Sequence, residues 1–384
     1  MKSFNYYNPV KIVFGKNTIS ELRNLIPADS KVLITYGGGS IKRNGVYKQV
    51  RQALEGYNVF EFSGIEANPL YETCMEAVAL VKNNKIDFLL AVGGGSVLDG
   101  TKFISAASCF EGGDPWEILS KNAEIKSTLP LGSVMTLPAT GSEMNCISVL
   151  SRQSTFEKLS LVNPKVYPKF SIIDPETTYS LPVKQVINGL VDSYIHVLEQ
   201  YITYDVNSPL QDRQAEAILL TLHEIAHDII NKPDNFELRA NFFWCATQAL
   251  NGLIACGTVQ DWSTHMIGIE LTALYGLDHA KTVAVVLPRL LKYRKSLKKT
   301  KLLQYGNRIF GINEMNSDKA VNKTIDETEL FFNSLGMKTK LSDYGINAEE
   351  AAVKIYHRFL ERDTLLGENQ DITPDGVRRI LLDC

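Results

Sequence analysis

Phe88-Leu89-Leu90-Ala91-Val92-Gly93-Gly94-Gly95-Ser96 is the stretch that decides the fold. A short apolar run closed by glycines reads as a strand buried on both faces, and Val97 to Ser108 behind it reads as a helix. Upstream the pattern occurs once before: Lys31-Val32-Leu33-Ile34-Thr35-Tyr36 runs into Gly37-Gly38-Gly39-Ser40, with a helical stretch from Tyr47 to Leu54 after it. Around these two, Val10 to Gly15, Val59 to Phe62, Leu129 to Leu131, Val134 to Pro138 and Phe170 to Pro175 have strand character, while Thr18 to Leu25 and Tyr71 to Asn83 read as helices. Strand and helix alternate, so the economical fold is an α/β unit with a parallel sheet covered on both faces.

Each glycine run lets the backbone approach a phosphate closely, and the free N–H groups at the start of the next helix supply donors and a favourable dipole. Gly93-Gly94-Gly95-Ser96 is the better pyrophosphate cradle, although it is not the G-x-G-x-x-G fingerprint and a tight turn without a ligand is the plain alternative. Asp99 falls in the first turn of the second helix, where the dipole favours a carboxylate, and it is placed to orient cofactor hydroxyls. The first loop bears on cofactor choice. An NAD site ends this strand with an acid for the adenosine ribose, whereas a 2'-phosphate wants small residues and a cation. Here Lys42 and Arg43 follow Gly38-Gly39-Ser40 and no acid stands there, which predicts NADP.

Beyond Pro182 the texture changes. Helical patterns run from Gln211 to Ile230, Phe236 to Leu253, Trp262 to Leu274, Lys292 to Phe310, Ala320 to Leu335, Ala348 to Glu361 and Thr373 to Leu382. The expected division is therefore residues 1–182 as the α/β dinucleotide-binding domain and 183–384 as an all-helical domain, with small molecules bound in a cleft between them. The second part carries Asp192, His196, His265 and His279. A divalent ion such as iron(II) or zinc takes imidazoles and a carboxylate from a rigid scaffold. Asp192 and His196 are one helical turn apart, so they share a face. A single helical His is more often packed than metal-bound, and the quartet gains weight only beside the glycine loops.

With 384 residues the chain is long enough for two cores. Its hydrophobic share of 45% and charged share of 22% are those of a globular protein. A net charge of −3 gives no reason to expect nucleic acid or an anionic membrane as partner. The N-terminal residues lack the apolar core of a signal peptide, and no run approaches the ~18 apolar residues of a membrane span. A cytoplasmic chain is expected. Six cysteines lie scattered without a CxxC pair, so reduced thiols are expected and a metal would use nitrogen and oxygen.

Glycine loops, then Pro138-Ala139-Thr140-Gly141-Ser142-Glu143, then Asp192-x3-His196, His265 and His279, resemble the iron-containing (group III) alcohol dehydrogenase family in order and spacing over essentially the whole chain. Tyr36-Gly37-Gly38-Gly39-Ser40, Ala246 to Gly252 and Gln260-Asp261-Trp262 look closest to its NADP-dependent butanol dehydrogenase and broad aldehyde reductase branch. The resemblance implies a dehydroquinate synthase-like architecture, reversible reduction of small aldehydes to primary alcohols with NADPH, one divalent metal (iron or zinc) and a homodimer. It implies Asp192, His196, His265 and His279 as metal ligands, and Gly94, Gly95, Ser96 and Asp99 as the pyrophosphate loop and its following acid. Gly38 and Ser40, beside Gly37 and Gly39, match the 2'-phosphate side; Thr136, Thr140, Asn145 and Lys158 match cofactor-lining positions. The family usually has a second His four residues after the third ligand, but this chain has Ile269 there. Ile269 cannot relay a proton, so the general acid is unassigned, with water or a cofactor ribose hydroxyl as substitutes.

Two other readings compete. A glycerol-dehydrogenase-like NAD and zinc enzyme would share the fold. His223-Glu224-Ile225-Ala226-His227 is a literal HExxH on a helix, the zinc protease signature, but it lacks a third ligand downstream. Trp262, Leu253, Ile254 and Cys256 are candidate pocket residues, a pattern that more often marks core.

Overall fold

The computed structural model describes residues 1–384. Its strands are β1 Lys11–Phe14, β2 Lys31–Thr35, β3 Asn58–Phe62, β4 Phe88–Gly93, β5 Leu131–Met135, β6 Ile147–Arg152, β7 Glu157–Val162 and β8 Phe170–Ile173. Six of them form one sheet in the order β1-β8-β5-β4-β2-β3, every pairing parallel. Among them run α1 Leu22–Leu25, α2 Ser40–Arg43, α3 Val46–Ala53, α4 Tyr71–Asn84, α5 Gly95–Ser108 and α6 Glu117–Ser120.

The period of two along each strand sends neighbouring residues to opposite faces. Leu33, Leu89 and Leu131 pack with Val78 and Val81 of α4 and Phe103 and Ile104 of α5. Val32, Ile34, Leu90 and Val92 pack on the other side with Val46 and Val50 of α3. Both faces are covered, as the unbroken apolar runs predict, and each fully buried Leu, Ile or Val contributes about 1.5–3 kcal/mol. β6 and β7 form an antiparallel hairpin outside this sheet, an element the sequence reading did not anticipate. Its buried positions, Ser148 and Leu150 on β6 and Lys158 and Leu161 on β7, mix polar with apolar residues, so no clean alternation marks it in the sequence.

The remaining helices are α7 Val183–Tyr201, α8 Pro209–Asn231, α9 Phe236–Ala249, α10 Ser263–Tyr275, α11 His279–Arg294, α12 Lys299–Phe310, α13 Ser317–Ser334, α14 Ala348–Glu361 and α15 Pro374–Leu382. Side chains set several of the starts: Asn316 accepts from the Asp318 and Lys319 amides, Asn347 from Glu350, and Thr373 from Gly376 with Pro374 at the first helical position. The helix expected from Lys292 to Phe310 is two helices, α11 and α12. Lys298 lies between them, and its ammonium is turned inward onto buried carboxylates.

By their internal packing the residues fall into two compact units, Tyr7–Pro182 with Lys232–Thr247, and Met1–Tyr6 with Val183–Asn231 and Gln248–Cys384. Most of α9 therefore packs with the α/β unit, unlike the division expected at residue 182. Phe243 sits in its core and Thr247 donates to Glu143. An amphipathic helix reads alike whichever core it joins, so periodicity could not assign it. In the helical unit, Ile267 and Leu271 of α10, Val285 and Val286 of α11, Ile355 and Phe359 of α14 and Ile380 of α15 share one apolar cluster. No helix is long and apolar enough to cross a membrane. All six cysteines are free thiols.

Candidate metal centre and nucleotide loops

α7 places Asp192 and His196 on one buried face. His265 stands in the first turn of α10, and His279 opens α11 directly after its N-cap residue Asp278. Three helices thus aim four side chains at one point. Oδ1 of Asp192 lies 3.9 Å from Nε2 of His196, 3.8 Å from Nε2 of His265 and 3.9 Å from Nε2 of His279. These separations are too long for hydrogen bonds. Donors ~2.1 Å from a tetrahedral ion stand about 3.4 Å apart, so a small contraction brings the set to ligand spacing. The donor atoms of Asp192, His265 and His279 all lie within 4.8 Å of one another, and the His196 ring stacks on His265 with centroids 4.6 Å apart.

Asp192 Oδ1 and His265 Nε2 are buried without a hydrogen-bond partner. Such groups cost about 1–3 kcal/mol each unless something satisfies them. A cation does so, and one carboxylate with three imidazoles suits iron(II) or zinc. The electrostatics agree. Burial opposes the charge on Asp192, yet the imidazoles of His196, His279 and His265 outweigh it and hold the carboxyl below the usual range. Burial likewise works against a charged His265 ring, and Glu199 reverses this, pushing its pKa up to about 9.

Glu199 was missed in the sequence. It lies on α7 one turn beyond His196, and its carboxylate hydrogen-bonds Nδ1 of His265. Its spacing from Asp192 and His196 places it on the same helix face, a signal that was there to read. Trp262 packs edge-on against both His265 and His196, at centroid distances of 5.3 and 6.2 Å. Ile254 and Cys256 are buried, and Leu253 and Ile269 are half-buried.

In the α/β unit the two glycine loops leave β2 and β4, which are neighbours in the sheet. β5 is the next strand, and the Thr136 amide donates to the Gly93 carbonyl at 2.9 Å. Gly37 to Ser40, Gly94 to Ser96, Thr136 and Thr140 therefore gather at the carboxyl ends of three adjacent parallel strands, where open α/β sheets bind ligands. A Cβ on Gly38 or Gly39 would meet nothing within 4 Å, so the backbone there is open to an approaching group. A Cβ on Gly95 would lie 2.1 Å from Oγ1 of Thr140, so only glycine fits.

Asp99 and Asn145 lie deeper. Asp99 accepts from the Ser142 hydroxyl at 2.6 Å and the Val149 amide at 3.0 Å. Lys102, wholly buried, donates to Ser142 Oγ at 2.7 Å, Asn145 Oδ1 at 3.1 Å and the Ile147 carbonyl at 2.8 Å. Burial draws its pKa down to about 8 against the pull of Asp99. These residues lock the turn that carries Thr140. Lys158 of β7 donates to Asn68 at 2.8 Å. In the first loop, Lys42 pairs with Glu61 at 3.3 Å and lies over the Tyr36 and Tyr47 rings, while Arg43 is exposed.

The HExxH residues gather no third ligand. The His223 ring packs against Phe331 and Phe310 at 4.7 and 5.5 Å, and His227 meets Ser334.

Glycine loops at the carboxyl ends of a parallel sheet, together with a nitrogen and oxygen cluster on helices that could hold a cation, suit a metal-assisted dehydrogenase. Comparison with known proteins makes the class specific. Residues 9–175 match the model of the iron-containing alcohol dehydrogenases, and residues 186–384 match that of the C-terminal part of the Fe-containing alcohol dehydrogenase family. The NADPH-dependent aldehyde reductase YqhD of Escherichia coli is 52% identical over 99% of both chains. A probable NADH-dependent butanol dehydrogenase of Bacillus subtilis is 42% identical over 91% of this chain and 92% of its own. The crystal structure of E. coli YqhD superposes with a TM-score of 0.97 at 51% identity, covering 99% of this chain and 98% of that one. The chain belongs to the iron-containing alcohol dehydrogenase family, and it is an oxidoreductase.

Proposed function

We propose that this enzyme reduces small aldehydes to primary alcohols with NADPH, reversibly, with one divalent metal, iron or zinc, held by Asp192, His196, His265 and His279. The observation that carries the reading is the convergence of three imidazole nitrogens on a single buried carboxylate oxygen. When bound, the cation supplies Lewis acidity to the carbonyl and the nicotinamide supplies hydride. Asp192 contributes one negative charge, so a divalent ion keeps about one positive charge for that work. The α5 N-terminus and Gly94, Gly95 and Ser96 offer amide donors to the pyrophosphate. Gly37, Gly38, Gly39 and Ser40 leave space for the 2'-phosphate. Thr136, Thr140 and Lys158 face the cofactor, with Asp99 and Asn145 bracing the turn behind them.

NAD use is the second reading, favoured by the NADH-dependent name of the B. subtilis relative and by Lys42 being engaged with Glu61. The resemblance extends the proposal to a cytoplasmic homodimer, for which light scattering on the purified protein is the measurement. Metal analysis combined with NADPH and NADH oxidation over a series of aldehydes tests the whole reading. A metal-free protein with full turnover would overturn it, and a clear preference for NADH in kcat/KM would overturn the cofactor assignment.

A further inference from the structure

Glu199 stands directly behind the cation cluster, in contact with both the ring and the backbone of His265. Its side chain is buried, and one oxygen meets Nδ1 of His265 while the other accepts the Thr264 amide at 2.6 Å. A carboxylate oxygen paired with an imidazole nitrogen needs a proton between them, because two lone pairs would repel. With a cation in the site that proton stays on Nδ1, which leaves the Nε2 lone pair for the metal. The Glu199 carbonyl also accepts the Asp261 amide at 2.9 Å. Asp261 in turn accepts from the Ser263 amide at 3.1 Å and pairs with Lys298 at 2.9 Å. Glu199 thus grips both the His265 ring and the backbone from which that ring springs.

We infer that Glu199 is a positioning residue: it fixes the tautomer and orientation of His265 so that Nε2 is ready to take the metal. The inference rests on the proposed metal site, and it competes with a purely structural role in which Glu199 only caps the start of α10.

The two roles separate on the metal itself. Cobalt(II) affinity by chelator competition and the cobalt(II) absorption spectrum are measured on wild type, Glu199→Gln and Glu199→Leu, with Asp192→Ala as the reference for a broken site. Glu199→Leu is expected to bind cobalt 10–100-fold more weakly with an altered spectrum. Glu199→Gln, which keeps an acceptor for Nδ1–H, should stay within about tenfold of wild type. Should Glu199→Leu not fold, ¹⁵N-histidine spectra of the zinc-loaded wild type decide: the expected result is a protonated Nδ1 and a metal-bound Nε2 on His265. Wild-type affinity and spectrum in Glu199→Leu, or a metal-bound Nδ1, would overturn the inference. If Asp192→Ala also binds cobalt like wild type, the metal site itself is refuted; if it loses cobalt while Glu199→Leu does not, only the role of Glu199 fails.

Discussion

Nε2 of His265 and Oδ1 of Asp192 face each other at 3.8 Å, both buried and neither hydrogen-bonded. Two polar atoms left so in a folded interior are satisfied by something that fits between them. His265→Ala and Asp192→Ala should each lower bound metal to a small fraction of one equivalent and reduce kcat by at least about a thousandfold, since Lewis acidity is worth several kcal/mol. Metal analysis and steady-state turnover measure this, and full metal content with full turnover in either variant would contradict the site.

Gly95 and Thr140 touch so closely that a methyl group cannot be inserted. Gly95→Ala should destabilise the fold by about 1–3 kcal/mol through overpacking. It should also raise KM for the nucleotide more than it changes kcat. Adding Thr140→Ala should return part of the lost stability, and a Gly95→Ala protein with unchanged melting and KM would argue against the close fit.

Lys102 gives a pH signature. Burial lowers its pKa from 10.5 to about 8, with Asp99 opposing. Between these values the unfolded chain holds more protons than the folded one, so stability drawn from this group rises with pH through the window. Below about 8 the amine is charged in both states and its burial cost is fully felt. Lys102→Met strips donors from Ser142, Asn145 and Ile147 and leaves Asp99 uncompensated, which should cost about 3–5 kcal/mol at neutral pH. Urea midpoints at pH 8 and pH 10 should show the gap between wild type and Lys102→Met widening; a narrowing gap would reject the assignment.

His223 packs against aromatic rings on α12 and α13. Replacing His223 and His227 together by alanine should leave bound metal and aldehyde reduction within about twofold of wild type, at a packing cost of about 1–2 kcal/mol. Loss of metal in that double variant would revive the protease-like site.

Ile269 lies on α10 one turn beyond His265, where the family resemblance predicts a proton-relaying histidine. Ile269→His should add or shift a pKa in the pH dependence of kcat, because it introduces a titratable group into a region that has none at that position. An unchanged pH–rate profile would mean that proton transfer runs through water or the cofactor ribose irrespective of this residue.

The strands before the two glycine loops were legible because unbroken apolar runs ending in glycine admit few structures, whereas the stretches Leu129 to Leu131 and Val134 to Pro138 proved to be one strand, β5. The pairing of Asp192 with His196 was equally readable, since a helix fixes what lies one turn away. The β6–β7 hairpin was overlooked, and α9 was assigned to the wrong core, because the pattern of a helix does not name the surface it packs against.

By itself, then, the sequence determined the alternating α/β half, the helical half, the glycine loops and the types of residue available for a cation. Tertiary structure alone decided that nitrogens from α7, α10 and α11 meet at a single oxygen of Asp192, and that Glu199 stands behind His265. Local periodicity governs contacts a turn or a strand apart, whereas convergence of distant helices depends on how their apolar faces pack, which no single segment encodes.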